Sequence, residues 1–118
     1  MKNYKKINVQ KESRVELHDE LELTGAEISI NNLPAGVKVP FVHSHKNNEE
    51  IYLVLDGNGI ANIDGEEIKI EKGDCIKVSP EAKRQFGAAL ETPITFVCIQ
   101  VKENSLEGYT NDDAIIFE

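Results

Sequence analysis

The middle of the chain is a series of short apolar stretches separated by glycine-containing turns, and this pattern restricts the fold more than any other feature. Apolar and polar residues alternate at period two, as in Ile68 and Ile70, which flank Lys69. A period of two places alternate side chains on one face of a strand, whereas a helix needs a spacing of three or four. Short strands at regular spacing predict an all-β sandwich or barrel. The predicted turns are Asp56-Gly57-Asn58-Gly59, Asp64-Gly65 and Lys72-Gly73-Asp74.

A short helix is predicted between residues 13 and 22, before the first long strand. Leu17 and Leu21 are four residues apart, and Ser13 is a suitable N-cap for one or two helical turns. After Gly25 the spacing changes to period two, which predicts a strand. We therefore expect an all-β domain with at most a helical turn near its start.

The length of the chain limits it to one hydrophobic core. A sequence of 118 residues corresponds to about one domain, so we expect a single domain over residues 1–118. The apolar run from Ile115 to Phe117 predicts edge pairing, within one protomer or across a dimer, or a terminal helix-like turn. A homodimer is our expectation for the assembly.

Composition excludes several classes of partner. The formal net charge is -8, and no basic cluster is longer than Lys5-Lys6 or Lys83-Arg84, so nucleic acid and anionic membrane surfaces are not expected partners. No window is apolar enough for a signal peptide or a membrane span. Cys75 and Cys98 form no CxxC pair, and two isolated cysteines favour a reducing, cytoplasmic setting.

Three residues in the first half of the chain have the chemistry of a metal site. His43 and His45 are two apart, so in a strand both imidazoles project from the same face. A turn after His45 brings a neighbouring strand with a carboxylate, and Glu50 is preferred to Glu49 because it shares parity with Tyr52. The trio suits a divalent ion such as iron, manganese, nickel or zinc and leaves coordination positions open. The alternative is a pair of partly buried histidines bonded to barrel carboxylates.

The segment from Gly36 to Gly57 resembles the first motif of the cupin superfamily, in which a glycine, a His-x-His pair, a glutamate and a second glycine recur. The interval from Gly36 to His43 is one residue longer than in the family pattern, which predicts a bulge near Pro40. The resemblance implies a small single-domain cupin of the conserved-barrel type. Its fold would be a double-stranded β-helix, also called a jelly-roll barrel, with a divalent metal as cofactor.

The second cupin motif is modified in this chain. Gly73-Asp74 and Pro80 follow its course, but Ala82 and Ala89 stand where the family has glycine and asparagine. Gln85 stands at the position of the third metal-binding histidine. Three roles are open to Gln85: a weaker metal ligand, a hydrogen-bond partner of a metal-bound water, or the mark of a site that no longer holds metal.

The resemblance leaves three classes of function open. The first is a metal-dependent enzyme acting on a small polar metabolite, a dioxygenase with iron or an isomerase or lyase with the other metals. In it Glu50 would be a ligand and proton shuttle, and Tyr52 and Gln100 would contact the substrate. The second is a non-catalytic barrel that binds or senses a small ligand. The third is a structural barrel whose metal only holds strands together. Residues predicted to line the ligand cavity, or otherwise to form plain core, are Phe41, Tyr52, Phe96, Cys98 and Gln100.

Overall fold

The computed structural model describes residues 2–108 and 110–117, and antiparallel strands make up most of its regular structure. Two four-residue helices lie near the ends. The predicted all-β fold is therefore confirmed. Within the described ranges, no helix is long and apolar enough to cross a membrane. In chain order the elements are β1 (Arg14–Glu16), α1 (His18–Leu21), β2 (Glu27–Leu33), β3 (Asn48–Ile63), β4 (Glu66–Glu71), β5 (Cys75–Val78), β6 (Arg84–Ala88), β7 (Ile94–Lys102) and α2 (Thr110–Asp113).

Strand β3 is shared by two sheets and organises the barrel. Its residues 48–57 pair with β7 on one side, and residues 50–53 pair with β5 on the other. Its residues 58–63 pair with β4, and residues 59–63 pair with β6. Strands β2 and β1 extend the first sheet beyond β7. Because one strand belongs to both sheets, side chains from β5, β6 and β7 surround the same face of β3.

The hairpin predicted at residues 56–59 is wrong, because β3 continues through this segment. The register of β3 against β7 shifts between Val54 and Asp56, which marks a β-bulge. Gly57 has a φ of +80°, and a Cβ on it would lie 1.9 Å from the carbonyl oxygen of Pro93. Glycine is needed here for the close approach of two backbones, not for a reversal of the chain.

The other two predicted turns are confirmed. Asp64 and Gly65 have φ values of +50° and +84° between β3 and β4, and two positive φ values are what a tight type I′ hairpin requires. Gly73, with a φ of +96°, lies in the turn between β4 and β5.

The helix predicted over residues 13–22 is only partly confirmed. Strand β1 takes up residues 14–16 and pairs with β2, so the helix is the single turn α1. Leu17 precedes α1 without a side-chain cap, and the carbonyl of Ser13 accepts a hydrogen bond from the backbone N–H of Asn32. Pairing with β2 satisfies backbone groups that an isolated short helix would leave open, so strand formation prevails.

The apolar C-terminal run does not pair within the described chain. Ile115, Ile116 and Phe117 are each at least 78% exposed and lie outside the strands, directly after the helical turn α2. Pairing within the protomer is therefore wrong. Pairing across a dimer stays a prediction.

The core lies between the two sheets and is rich in aromatic rings. Tyr52 stacks on Phe86 with ring centroids 3.8 Å apart, and Phe96 packs at an angle to both rings. Tyr52 comes from β3, Phe86 from β6 and Phe96 from β7, so the rings connect the two sheets. The buried apolar residues are Tyr52, Val54, Ala61, Ile70, Val78, Phe86, Ile94, Phe96 and Cys98.

Candidate metal site

The histidine pair lies on an irregular extended segment that precedes β3 and runs beside β6. His43 forms an isolated antiparallel bridge with Arg84, with backbone N···O distances of 3.1 and 2.9 Å. The backbone N–H of His45 donates to the carbonyl of Pro80 at 2.7 Å. Lys38 forms a bridge with Gly87, and His43 forms one with Arg84. The histidine segment has two more residues between these bridges than β6 has. The extra residues form the bulge predicted near Pro40.

The structure brings the two histidines and Glu50 together. Glu50 is only 4% exposed, and its Oε2 lies 3.1 Å from His45 Nε2 while its Oε1 lies 3.8 Å from His43 Nε2. One possible ligand atom of each residue lies within 4.8 Å of the other two. Glu49 instead lines a separate surface depression with Ile51. The parity argument that favoured Glu50 over Glu49 therefore agrees with the structure.

Hydrogen bonds keep the Glu50 carboxyl group ionised. The Tyr52 hydroxyl donates to Oε1 at 2.6 Å, and the Cys98 thiol donates to Oε2 at 3.4 Å. The Nε atom of Arg84 lies 3.6 Å from Oε1. Burial by itself raises the pKa of Glu50, but the hydrogen bond from Tyr52, together with the influence of His45, Cys98 and Arg84, outweighs it and holds the pKa of Glu50 below its usual range.

The protonation states of the neighbours suit the same carboxylate. Burial lowers the pKa of His43, and the neutral imidazole that results is the form that binds metals. Burial also raises the pKa of Tyr52, and it raises the pKa of Cys98 to about 12. Tyr52 and Cys98 therefore remain protonated at neutral pH and act as hydrogen-bond donors to Glu50.

The two histidine nitrogens and the carboxylate of Glu50 fit a divalent metal ion. Nitrogen and oxygen ligands at about 2.0–2.2 Å from one ion lie about 3 to 4 Å apart when they occupy adjacent coordination positions. The separations of 3.1 Å to His45 and 3.8 Å to His43 agree with that range. Two neutral imidazoles and one carboxylate form the donor set of several catalytic sites, with positions left for substrate or water.

A cavity of about 590 Å³ opens next to these three residues. Its volume is that of a typical small-ligand site. Strand β2 contributes the buried polar residues Ser29 and Asn31, which hydrogen-bond to each other at 3.0 Å. All five residues predicted from the sequence lie on the cavity wall: Phe41, Tyr52, Phe96, Cys98 and Gln100.

Comparison with known proteins identifies the family. The family described as Cupin domain matches residues 30–100, which include the histidine pair, Glu50 and most of the barrel. The chain belongs to the cupin family.

Similar proteins agree with this assignment. A cupin protein from Bacteroides fragilis is 58% identical over the full length of both chains, with a TM-score of 0.97. A predicted oxalate decarboxylase from Thermotoga maritima is 24% identical over 64% of each chain, with a TM-score of 0.60, and shares the fold. An uncharacterized protein of Methanocaldococcus jannaschii is 30% identical over 73% of this chain and 64% of its own length. The chain thus spans 64% of the length of this curated relative.

Gln85 is placed differently from the three other predicted ligands. Its Nε2 donates to the carbonyl of Val39 at 2.7 Å, and the register of β6 sets it opposite Asn62, an exposed residue of β3. Phe86, its neighbour on β6, lies opposite the buried Ala61. Strand alternation therefore directs Gln85 away from the core face, although it still lines the cavity. Its role as a metal ligand stays a prediction.

Arg84 is the residue of this site that the sequence interpretation missed. It is fully buried, faces Glu50 and lies directly opposite His43. Arg84 is two residues from Phe86 on β6, and residues two apart on a strand share a face. This parity was the available signal that Arg84 is buried. An arginine in the buried half of an alternating strand is unusual and indicates a specific role.

Proposed function

We propose that this cupin binds a divalent metal ion through His43, His45 and Glu50 and acts on a small polar metabolite. The convergence of the three side chains within 4.8 Å beside a cavity of about 590 Å³ carries the proposal. A bound ion would supply Lewis-acid chemistry at substrate oxygens. The reaction would be of the dioxygenase type with iron, and of the isomerase or lyase type with manganese, nickel or zinc.

The chain's own residues would bind, orient and move protons around that ion. Glu50 would serve as a ligand and as a carrier of protons, since its carboxylate already accepts hydrogen bonds from two protonated groups. Tyr52 would orient Glu50 and remain protonated. The amide oxygen of Gln85 would be a further, weaker ligand. Phe41, Phe96 and Gln100 would form the wall against which the metabolite packs.

A non-catalytic ligand-binding or sensing barrel is the second candidate. The observation in its favour is that Glu50 is already satisfied by its protein neighbours, with His45, Tyr52 and Cys98 all within 3.4 Å of its oxygens. A site satisfied by its own residues does not need a metal to fold. In this case the cavity would bind its ligand without an ion.

Elemental analysis of protein purified without chelator or affinity nickel distinguishes the two candidates. We expect about one ion per chain in the parent, most of it lost in His45→Ala, because one of only three firm ligands is removed. His18→Ala is the matched control, since the His18 imidazole lies on the surface and contacts the Asp19 carboxylate, away from the candidate site. A parent protein that contains no metal, and takes up none of the four ions on reloading, would contradict the metal site and favour the ligand-binding barrel.

Three further expectations belong to this proposal. The whole of residues 1–118 acts as one cupin barrel domain. The protein works as a homodimer on a small-molecule ligand, without nucleic acid or membrane as partner. Its setting is cytoplasmic, and the two free thiols of Cys75 and Cys98 support a reducing compartment.

A further inference from the structure

Arg84 is a buried charge with too few partners. Its guanidinium is 0% exposed and makes one hydrogen bond, from Nη2 to the carbonyl of Ser79 at 2.6 Å. Nε and Nη1 are buried and have no hydrogen-bond partner among the described residues, and the nearest carboxylate oxygen of Glu50 is 3.6 Å from Nε. Burying a guanidinium in this way is costly, so its retention beside a ligand cavity calls for a specific role.

The cavity as a whole carries no net charge, although the chain carries a formal charge of -8. Three of the charged side chains that line it are cationic and three are anionic. Arg84 is the cationic member closest to Glu50, so it offsets the one negative charge among the three candidate metal ligands. The six residues are Arg14, Glu16, Glu27, Lys38, Glu50 and Arg84.

We propose that Arg84 makes the metal-loaded cavity selective for anionic ligands of the small-carboxylate class. This inference rests on the metal site proposed above. Histidines bind a metal as neutral imidazoles, and Arg84 offsets the charge of Glu50. A divalent ion would therefore add two positive charges that no residue of the cavity balances. A carboxylate at the open coordination positions supplies negative charge beside the buried Glu50 and Arg84, where Coulomb interactions are stronger than in bulk water.

A purely structural role for Arg84 predicts a different pattern. If Arg84 acts by its charge, removing it strengthens the binding of a divalent cation and weakens the binding of a carboxylate. If Arg84 only holds Glu50 and Ser79 in place, removing it weakens the binding of the cation and of the organic carboxylate alike. In that case the Glu50 carboxylate is no longer positioned to bind the metal. A charge effect is therefore indicated when the affinity for the divalent cation rises and the affinity for the carboxylate falls.

The experiment uses Zn²⁺ and malonate as probes, with malonamide as the neutral counterpart of malonate. Zinc affinity is measured by competition with a chelator, and binding of both organic probes to the zinc-loaded protein is measured by calorimetry. The parent is compared with Arg84→Met, which fills the same space without charge, and with Arg84→Lys, which keeps the charge. Lys69→Gln removes a positive charge from an exposed position on β4, outside this cavity, and is the matched control.

We expect the parent and Lys69→Gln to bind malonate about tenfold more tightly than malonamide. In Arg84→Met that preference falls while zinc affinity rises, because Glu50 then offsets part of the charge of the ion, and Arg84→Lys retains the full preference. Loss of malonate and zinc affinity together in a folded Arg84→Met would overturn the inference. So would equal binding of malonate and malonamide by the zinc-loaded parent, a comparison that does not depend on any variant folding. A parent that binds no zinc would overturn the metal site itself, and the inference with it.

Discussion

At the scale of single residues, the candidate site is arranged around the carboxylate of Glu50. It lies 4% exposed on β3 and accepts a hydrogen bond of 2.6 Å from Tyr52, which is two residues further along the same strand face. A hydrogen bond to a charged acceptor is stronger than one between neutral groups. The Tyr52 hydroxyl therefore both orients the carboxylate and stabilises its ionised form.

Removing that hydroxyl should destabilise the metal-free protein. We expect Tyr52→Phe to lower the free energy of unfolding at pH 7 by about 1.5–3 kcal/mol, because it removes a hydrogen bond to a buried charge and keeps the stack on Phe86. The lowered pKa of Glu50 means that its ionised form contributes stability above about pH 4.5, and that this contribution is lost as the pH falls. The difference between parent and variant should therefore narrow on acidification, as measured by urea unfolding at several pH values.

Tyr4→Phe is the control for this substitution, since the Tyr4 ring is 69% exposed and outside the core. It should leave the unfolding free energy unchanged. A Tyr52→Phe protein as stable as the parent at pH 7, or a difference that does not depend on pH, would show that the hydroxyl does not stabilise the carboxylate.

The sequence predicted the donor atoms of the site better than their surroundings. Parity within one strand was sufficient to select Glu50, because β3 is regular from its start to the bulge after Val54. Arg84 was missed because its closeness to Glu50 depends on the pairing of β6 with β3 and with the histidine segment. Such pairings join residues far apart in sequence, and local periodicity does not reveal them.

At the scale of elements, two identical Asp-Gly pairs have different structures. Asp64-Gly65 forms the hairpin between β3 and β4, with both residues at positive φ. At Asp56-Gly57, only Gly57 has positive φ, and the strand continues. The local sequence gives the same turn signal at both places, and the close approach of Pro93 to Gly57 is a tertiary contact that the sequence pattern does not contain.

A comparison of glycine substitutions tests this account of the bulge. In Gly57→Ala the new methyl group would meet the backbone of Pro93, so we expect a loss of about 3 kcal/mol or more of unfolding free energy, or no folded protein. In Gly65→Ala the positive φ costs about 1–2 kcal/mol, but no atom lies within 4 Å of the new Cβ. Urea unfolding of both variants gives the comparison.

Gly25→Ala supplies the baseline for this series, because no atom lies within 4 Å of a Cβ added at residue 25 and the φ of this residue is not positive. We expect its stability to be close to that of the parent. Equal losses in Gly57→Ala and Gly65→Ala would mean that backbone conformation alone, and not contact with Pro93, requires glycine at the bulge.

At the scale of the whole molecule, a single chain leaves an unusually large surface exposed. The accessible surface is 8874 Å², whereas a compact folded monomer of 13.2 kDa exposes about 6,400 Å². The radius of gyration is 15.9 Å, compared with about 13.5 Å for a compact chain of this length. Four apolar residues near the C-terminus are highly exposed, at 76–87%: Leu106, Ile115, Ile116 and Phe117.

The exposed apolar tail should be covered by a second copy of the chain. Burying Ile116 and Phe117 would each contribute about 1.5–3 kcal/mol to association, so light scattering over a concentration series should give the mass of a dimer. The double variant Ile116→Asp/Phe117→Asp should shift the mass to that of a monomer, because it would place two carboxylates in an apolar interface. Leu90→Asp, at a residue 86% exposed in the loop before β7, should remain dimeric. A parent that is monomeric at every concentration would contradict the dimer, and a dimeric double variant would place its interface elsewhere than at the tail.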